Sequence, residues 1–123
     1  MRISAAELKI MDALWRDAPS GAAEVAGAVA GEGWSDRTVK TMLSRLVQKG
    51  ALRAEPDGRR HLYTPLIDHE AYRREAARGF AGRLFGGRAA PLVAHLAEGE
   101  GLSADDLDDL EALVRRLREE ALR

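Results

Sequence analysis

Between Trp34 and Gly50 the chain reads as one amphipathic helix with a defined stop at each end. Apolar residues fall at Val39, Met42, Leu43, Leu46 and Val47. That is the i, i+3, i+4, i+7, i+8 recurrence of a single buried stripe. Ser35 stands where an N-cap belongs, and Asp36 places an acid in the first turn. Gly50, just after Lys49, stands where a left-handed C-terminal cap belongs. The opposite face carries Arg37, Thr38, Lys40, Thr41, Ser44 and Arg45, with no acid after Asp36. Short hydroxyls interleaved with long cations suit a DNA major groove. There Arg forks onto guanine, Thr meets a thymine methyl, and Lys reaches phosphate. The same face also fits a helix whose basic side is merely solvated.

Charge supports the first reading only locally. The net charge of the 123 residues is −1. Residues 34–66 nevertheless carry seven Lys/Arg against three Asp/Glu, a balance of +4, while residues 67–123 carry nine against twelve, a balance of −3. The positive charge is gathered around the helix just described. An apolar fraction of 46% supports a core. The absence of Cys excludes disulfides, thiolate metal sites and a Cys nucleophile. No apolar run approaches a membrane span of about 20 residues. The stretch Met-Arg-Ile-Ser-Ala-Ala-Glu at the start lacks the apolar segment of a signal peptide. The expected location is the cytoplasm.

Upstream, Ser4 with Glu7 forms a capping box for a helix whose stripe is Leu8, Met11, Leu14 and Trp15, ending near Arg16. Asp17-Ala-Pro-Ser-Gly21 is a turn. Ser20 or Gly21 starts a short helix with Val25, Ala26 and Val29 inward, broken at Gly31-Glu-Gly33. Trp34 is expected to staple the first turn of the third helix. Three helices with short connections make a helix-turn-helix core in which the third is the reader. After Gly50 the period changes. Ala51–Glu55 is extended, Pro56-Asp-Gly58 forms a turn, and Arg59–Thr64 forms a return strand. This hairpin is the wing of a winged helix, with Arg59 and Arg60 at its tip to meet phosphate or a minor groove. A surface hairpin with two solvated arginines is the alternative; following directly on the basic helix, the DNA reading is preferred.

Several short motifs recur in a recognisable order: Ile3-Ser-Ala-Ala-Glu7 with Leu14-Trp15; Trp34-Ser-Asp-Arg-Thr38, Thr41, Arg45-Leu46-Val47 and Lys49-Gly50; Gly58-Arg59 with Tyr63-Thr-Pro65. Over residues 3–66 the chain resembles the winged-helix domain of the BlaI/MecI/CopY penicillinase-repressor family. Phe80, Leu84-Phe85-Gly-Gly87, Leu92-Val93 and Leu102-Ser103 extend the resemblance to nearly the whole chain. His61 departs from the aromatic or aliphatic wing residue usual in the family. The C-terminal Cys pairs of copper-responsive relatives are missing, so copper sensing is not expected.

The second half has its own pattern. Asp68 caps a helix carrying Tyr72, Ala76, Phe80 and Leu84, which Gly79 and Gly82 weaken and Gly86-Gly87 ends. Ala89–Ala97 makes a shorter helix with Leu92, Val93 and Leu96, stopped by Gly99-Glu-Gly101. Ser103 caps a last helix striped by Leu107, Leu110, Leu113, Val114, Leu117 and Ala121. Acids at 105, 106, 108 and 109 crowd its start, and arginines at 115, 116, 118 and 123 its end. Roughly fifty residues without a staple are marginal alone. The stripes are expected to meet a second copy, the alternative being that they fold back on the winged helix. Tyr72, Phe80, Leu84, Leu92, Leu96, Leu107, Leu110, Leu113, Val114 and Leu117 are the dimerisation candidates.

The expected architecture is mainly α with a small β-hairpin. A winged helix-turn-helix DNA-binding domain (1–66) precedes a helical dimerisation domain (67–123). The expected activity is that of a homodimeric transcriptional repressor rather than an enzyme. The alternative is a winged-helix protein–protein adaptor. Arg37, Thr38 and Thr41 are the base-contacting candidates. Lys40, Ser44, Arg45, Arg59 and Arg60 are the phosphate candidates, and Tyr63 of the wing is counted among the DNA-contacting residues. His61, His69 and His95 are scattered and have no metal-ligand spacing, so neither a metal nor another cofactor is expected. The family resemblance implies a TACA/TGTA-type operator dyad, β-lactamase or envelope-stress target genes, and relief by a membrane-bound sensor protease. The implied cut falls in Leu92-Val-Ala-His-Leu96, between His95 and Leu96.

Overall fold

The computed structural model describes residues 1–99 and 101–123. Helix α1, Ala5–Arg16, opens on the expected capping box. Glu7 N–H donates to Ser4 Oγ at 3.1 Å, and Ser4 N–H donates to Glu7 Oε1 at 2.9 Å. Its buried residues are Glu7, Ile10, Met11, Ala13 and Leu14. The inward face is thus rotated slightly from the expected stripe, with Leu8 and Trp15 only half-buried at its edges. Strand β1 is the pair Ser20–Gly21, and Gly21 is the N-cap of α2, Ala22–Ala28. A single 3₁₀ turn at Ala30–Glu32 ends on the left-handed Gly33, and α3, Asp36–Gln48, follows.

Helix α3 is bounded as its residues require. Thr38 N–H donates to Ser35 Oγ at 3.1 Å. At the other end Gly50 has φ 83°. Its N–H donates to Val47 O at 3.0 Å, and Ala51 N–H donates to Leu46 O at 2.9 Å. These two bonds are the Schellman pattern, which satisfies carbonyls the helix leaves open. Val39, Met42, Leu43 and Leu46 face Ile10, Met11, Leu14, Val25, Val29, Ala51 and Leu52 in one core, with Trp34 and Val47 packed at its margin. Each fully buried aliphatic side chain contributes about 1.5–3 kcal/mol relative to exposure.

Strands β2, Leu52–Asp57, and β3, Arg60–Pro65, pair antiparallel, and the sheet order is β1-β3-β2. The sheet therefore has three strands rather than the two of the expected hairpin. Ser20 faces Tyr63 and Gly21 faces Leu62. A two-residue segment carries no period-2 signal, so only its partner β3 reveals β1. The turn also shifts. Asp57 pairs with Arg60, which leaves Gly58 and Arg59 as a two-residue loop. Gly58 has φ 64° at the first central position, where a hairpin turn of the primed kind favours Gly. Pro56 belongs to β2 and not to the turn. As an edge strand, β2 tolerates a residue that cannot donate to the ladder.

The described chain divides into two compact units, Met1–Arg74 and Glu75–Arg123. The division falls inside α4, His69–Phe85, eight residues beyond the boundary drawn from sequence. The start of α4 is held by Trp15. The indole Nε1–H donates to Ile67 O at 2.9 Å. The ring stacks on His69 at 4.2 Å and lies 5.6 Å from Tyr72. Asp68 caps the helix, accepting from Ala71 N–H at 2.9 Å.

In the second unit α4 ends at Gly86 and Gly87, with φ 58° and 82°. Helix α5 is Ala89–Ala97 and α6 is Ala104–Ala121. Ser103 caps α6 in a second capping box. Asp106 N–H donates to Ser103 Oγ at 3.0 Å, and Ser103 N–H donates to Asp106 Oδ2 at 3.4 Å. The expected Gly99-Glu-Gly101 stop includes residue 100, which lies outside the described residues. No described residue of this unit is buried.

Candidate nucleic-acid interface

The buried stripe of α3 fixes which of its residues face outward. Arg37, Thr38, Lys40, Thr41, Ser44 and Arg45 are all exposed. Among the described residues none of the three cations has an ion-pair partner. The hydroxyls are partly committed. Thr41 Oγ1 donates to Arg37 O at 2.9 Å, and Thr38 Oγ1 lies 3.0 Å from Ser35 Oγ at the cap. Their methyl groups and remaining lone pairs are still available to a base edge. Lys49, one turn further, does something different. Its Nζ donates to Glu7 Oε1 at 2.6 Å and to Arg2 O at 2.9 Å, which ties the end of α3 to the start of α1. Burial pushes the Glu7 carboxyl upward. Hydrogen bonds from Lys49 and from the Ser4 N–H and hydroxyl outweigh it and hold the group below the usual carboxylate range.

The wing is less positive than its sequence suggests. Arg59 sits in the β2–β3 turn, exposed and without an ion-pair partner among the described residues. Arg60 is engaged. Its Nη1 donates to Glu24 Oε1 at 2.6 Å, and its Nε donates to Asp57 Oδ2 at 3.4 Å. Arg53 pairs with Glu55 at 2.8 Å. Tyr63 is half-buried against the core and faces Ser20 across the sheet, so part of its ring serves packing. An open cleft of about 480 Å³ lies between α2, α3 and the wing. Glu24, Lys40, Ser44, Arg59, Arg60 and Tyr63 are among the residues lining it. The fold thus brings Lys40 and Ser44 of the reader face, together with Asp36, into one cleft with the wing arginines, while Arg37 and Thr41 share a shallower depression with Lys40 and Ser44 along α3. Glu24 is the residue that sequence reading missed: it lies 36 positions from Arg60, and no local pattern links them.

Of the dimerisation candidates, Tyr72 lies against Trp15 in the first unit. Phe80, Leu84, Leu96, Leu107, Leu113, Val114 and Leu117 are exposed, and Leu92 and Leu110 are half-buried. Leu107, Leu110 and Val114 line an apolar groove along α6. His95 and Leu96, at the implied cut, are both exposed on α5. No described helix is long and apolar enough to cross a membrane.

Comparison with known proteins joins these observations. The model of the penicillinase repressor family matches residues 3–116. The chain belongs to the penicillinase repressor family. That family is one of transcriptional repressors, not enzymes. The chain is 34% identical over 110 residues to the penicillinase repressor of Bacillus licheniformis, covering 89% of this chain and 86% of that one. It is 24% identical over 115 residues to the methicillin resistance regulatory protein MecI of Mammaliicoccus sciuri, covering 93% and 94%. Among solved structures it is similar to the Bacillus licheniformis BlaI monomer in complex with the blaP half-operator. The identity is 40% and the TM-score 0.51, over 58% of this chain and 89% of that one. The winged-helix fold and the recognised family therefore stand as the sequence indicated.

Proposed function

We propose that this family member is a homodimeric repressor that occupies a two-fold operator of TACA/TGTA type in the cytoplasm. In this reading it controls β-lactamase or related envelope-stress genes. The observation that carries the DNA reading is the α3 face: three unpaired cations and three short hydroxyls, with no acid after Asp36 of the first turn, beside a wing. Arg37, Thr38 and Thr41 take the base edges, while Lys40, Ser44, Arg45 and Arg59 hold phosphate. The names of the relatives support the choice of targets, and the BlaI half-operator complex supports the kind of site.

The open apolar side chains of the second unit support dimerisation, because soluble chains rarely leave such stripes uncovered. A dimer places two α3 helices in successive major grooves and blocks polymerase. Relief by a sensor protease cutting at His95–Leu96 fits the short, exposed α5.

Fluorescence anisotropy with a labelled TACA/TGTA duplex and a scrambled duplex of equal length tests the reading. Tight, two-fold binding to the dyad and weak binding to the scramble is expected. Arg37→Ala should cost about 1–3 kcal/mol on the dyad and little on the scramble. Equal affinity for both duplexes, unchanged by Arg37→Ala, would remove the reader assignment.

A further inference from the structure

Arg60 is a wing cation lining the cleft beside the reader helix, yet carboxylates flank it in the unbound protein. Glu24 comes from α2, Asp57 from β2 and Arg60 from β3, so the group is built by the tertiary fold. Two carboxylates on one guanidinium leave the cluster with a formal charge of −1. It stands in the wall of the cleft that Lys40 and Ser44 of α3 also line. Gly21 makes room for it. A Cβ there would lie 2.7 Å from Glu24 Oε2 and 3.3 Å from Arg60 Nη1, so a side chain would force the pair to move. Both partners are about half exposed, at 48% for Glu24 and 54% for Arg60. Water reaches the pair, and separating it is cheap.

We propose that Glu24 sets the DNA affinity of this protein by holding Arg60 in the unbound state, and that Arg60 exchanges this carboxylate for a backbone phosphate on binding. The proposal rests on the DNA-binding reading above. The exchange has two costs: the ion pair itself, and a bare Glu24 carboxylate left facing the polyanion. Phosphate contacts carry no sequence information, so Glu24 lowers affinity for all duplexes alike and leaves the base preference of α3 untouched. Removing the restraint should tighten binding by about 1.5- to 5-fold, the range to which an exposed ion pair translates. The gain shrinks as salt rises, because salt loosens the same pair.

Four full-length proteins decide the matter: wild type, Glu24→Gln, Arg60→Gln and the double variant. Each is titrated onto the dyad and the scrambled duplex from about 50 to about 300 mM KCl, a range over which phosphate contacts dominate the salt slope. Circular dichroism melts check that all four fold. The expected result is tighter binding of Glu24→Gln to both duplexes at low salt, with an unchanged dyad-to-scramble ratio and a smaller gain in the Arg60→Gln background. Weaker binding by Glu24→Gln would mean that Glu24 orients Arg60 toward DNA, the reverse of the proposal. Equal gains in both backgrounds would reduce Glu24 to a repelling charge, and no gain would remove it from binding. Any of these overturns the exchange while leaving the repressor reading intact. Failure of the wild type to bind either duplex would overturn both. If Glu24→Gln melts early, Asp57→Asn loosens Arg60 from its other side and must tighten binding in the same sense.

Discussion

Identical residue types serve opposite ends in this chain, and position decides which. Lys40 lies on α3 and Lys49 caps its C-terminal end, yet Lys40 is open to solvent while Lys49 is spent on Glu7 and the Arg2 carbonyl. Glu7 is 4% exposed, and its Oε2 has no hydrogen-bond partner among the described residues. Its charge is therefore sustained by Lys49 and the Ser4 cap alone. The folded state lowers the carboxyl from the ordinary 4.5. A depressed carboxylate contributes stability that is present above the unfolded pKa and is lost as pH falls through the folded one. Glu7→Gln should thus lower stability at pH 7 by about 1–3 kcal/mol, with a deficit that narrows as pH falls below the ordinary 4.5. Urea midpoints for both proteins at pH 7 and in acid measure this. A deficit that stays constant with pH would mean the charge contributes nothing.

Elements differ in how firmly they are held. Helix α3 has a serine cap, a Schellman end and four buried side chains, so its ends and its faces are over-determined. Helix α5 has nine residues, no side-chain cap and no buried residue, and left-handed glycines at 86, 87, 99 and 101 flank it. Local opening costs least where few contacts must break. A protease at low dose should therefore first nick within 86–101, releasing an N-terminal fragment ending near residue 95. Mass spectrometry of the first fragments identifies the bond. If that fragment binds the dyad as tightly as the intact chain, cleavage there is not the switch. The expected loss is a factor of about 10²–10⁴, from parting two tethered half-site readers.

At the scale of the whole molecule, the first unit owns a core and the second does not. In the proposed dimer a second copy would cover Leu107, Val114 and Leu117, which the single chain leaves exposed. Leu110→Asp with Leu113→Asp puts unpaired charge on that stripe, which is costly wherever it is buried. Light scattering should then report monomers, and dyad affinity should drop toward that of a single half-site. A double variant that remains a dimer of native affinity would move the interface to another surface.

Residues close in sequence determined much of this outcome. The caps at Ser4, Ser35, Asp68 and Ser103, the stop at Gly50 and the outward face of α3 all follow from three- or four-residue spacing, which a helix turns directly into geometry. Contacts between distant residues were decided only by the fold. Ser20–Gly21 became a strand because β3 lies beside it, and Tyr63 turned partly inward for the same reason. The compact division moved into α4 because Trp15 holds the start of that helix. Arg60, legible as a wing cation, is neutralised by a glutamate 36 positions away that only the packing of α2 against the wing brings within 2.6 Å. Charge pairing depends on distance in space, and no local period records it.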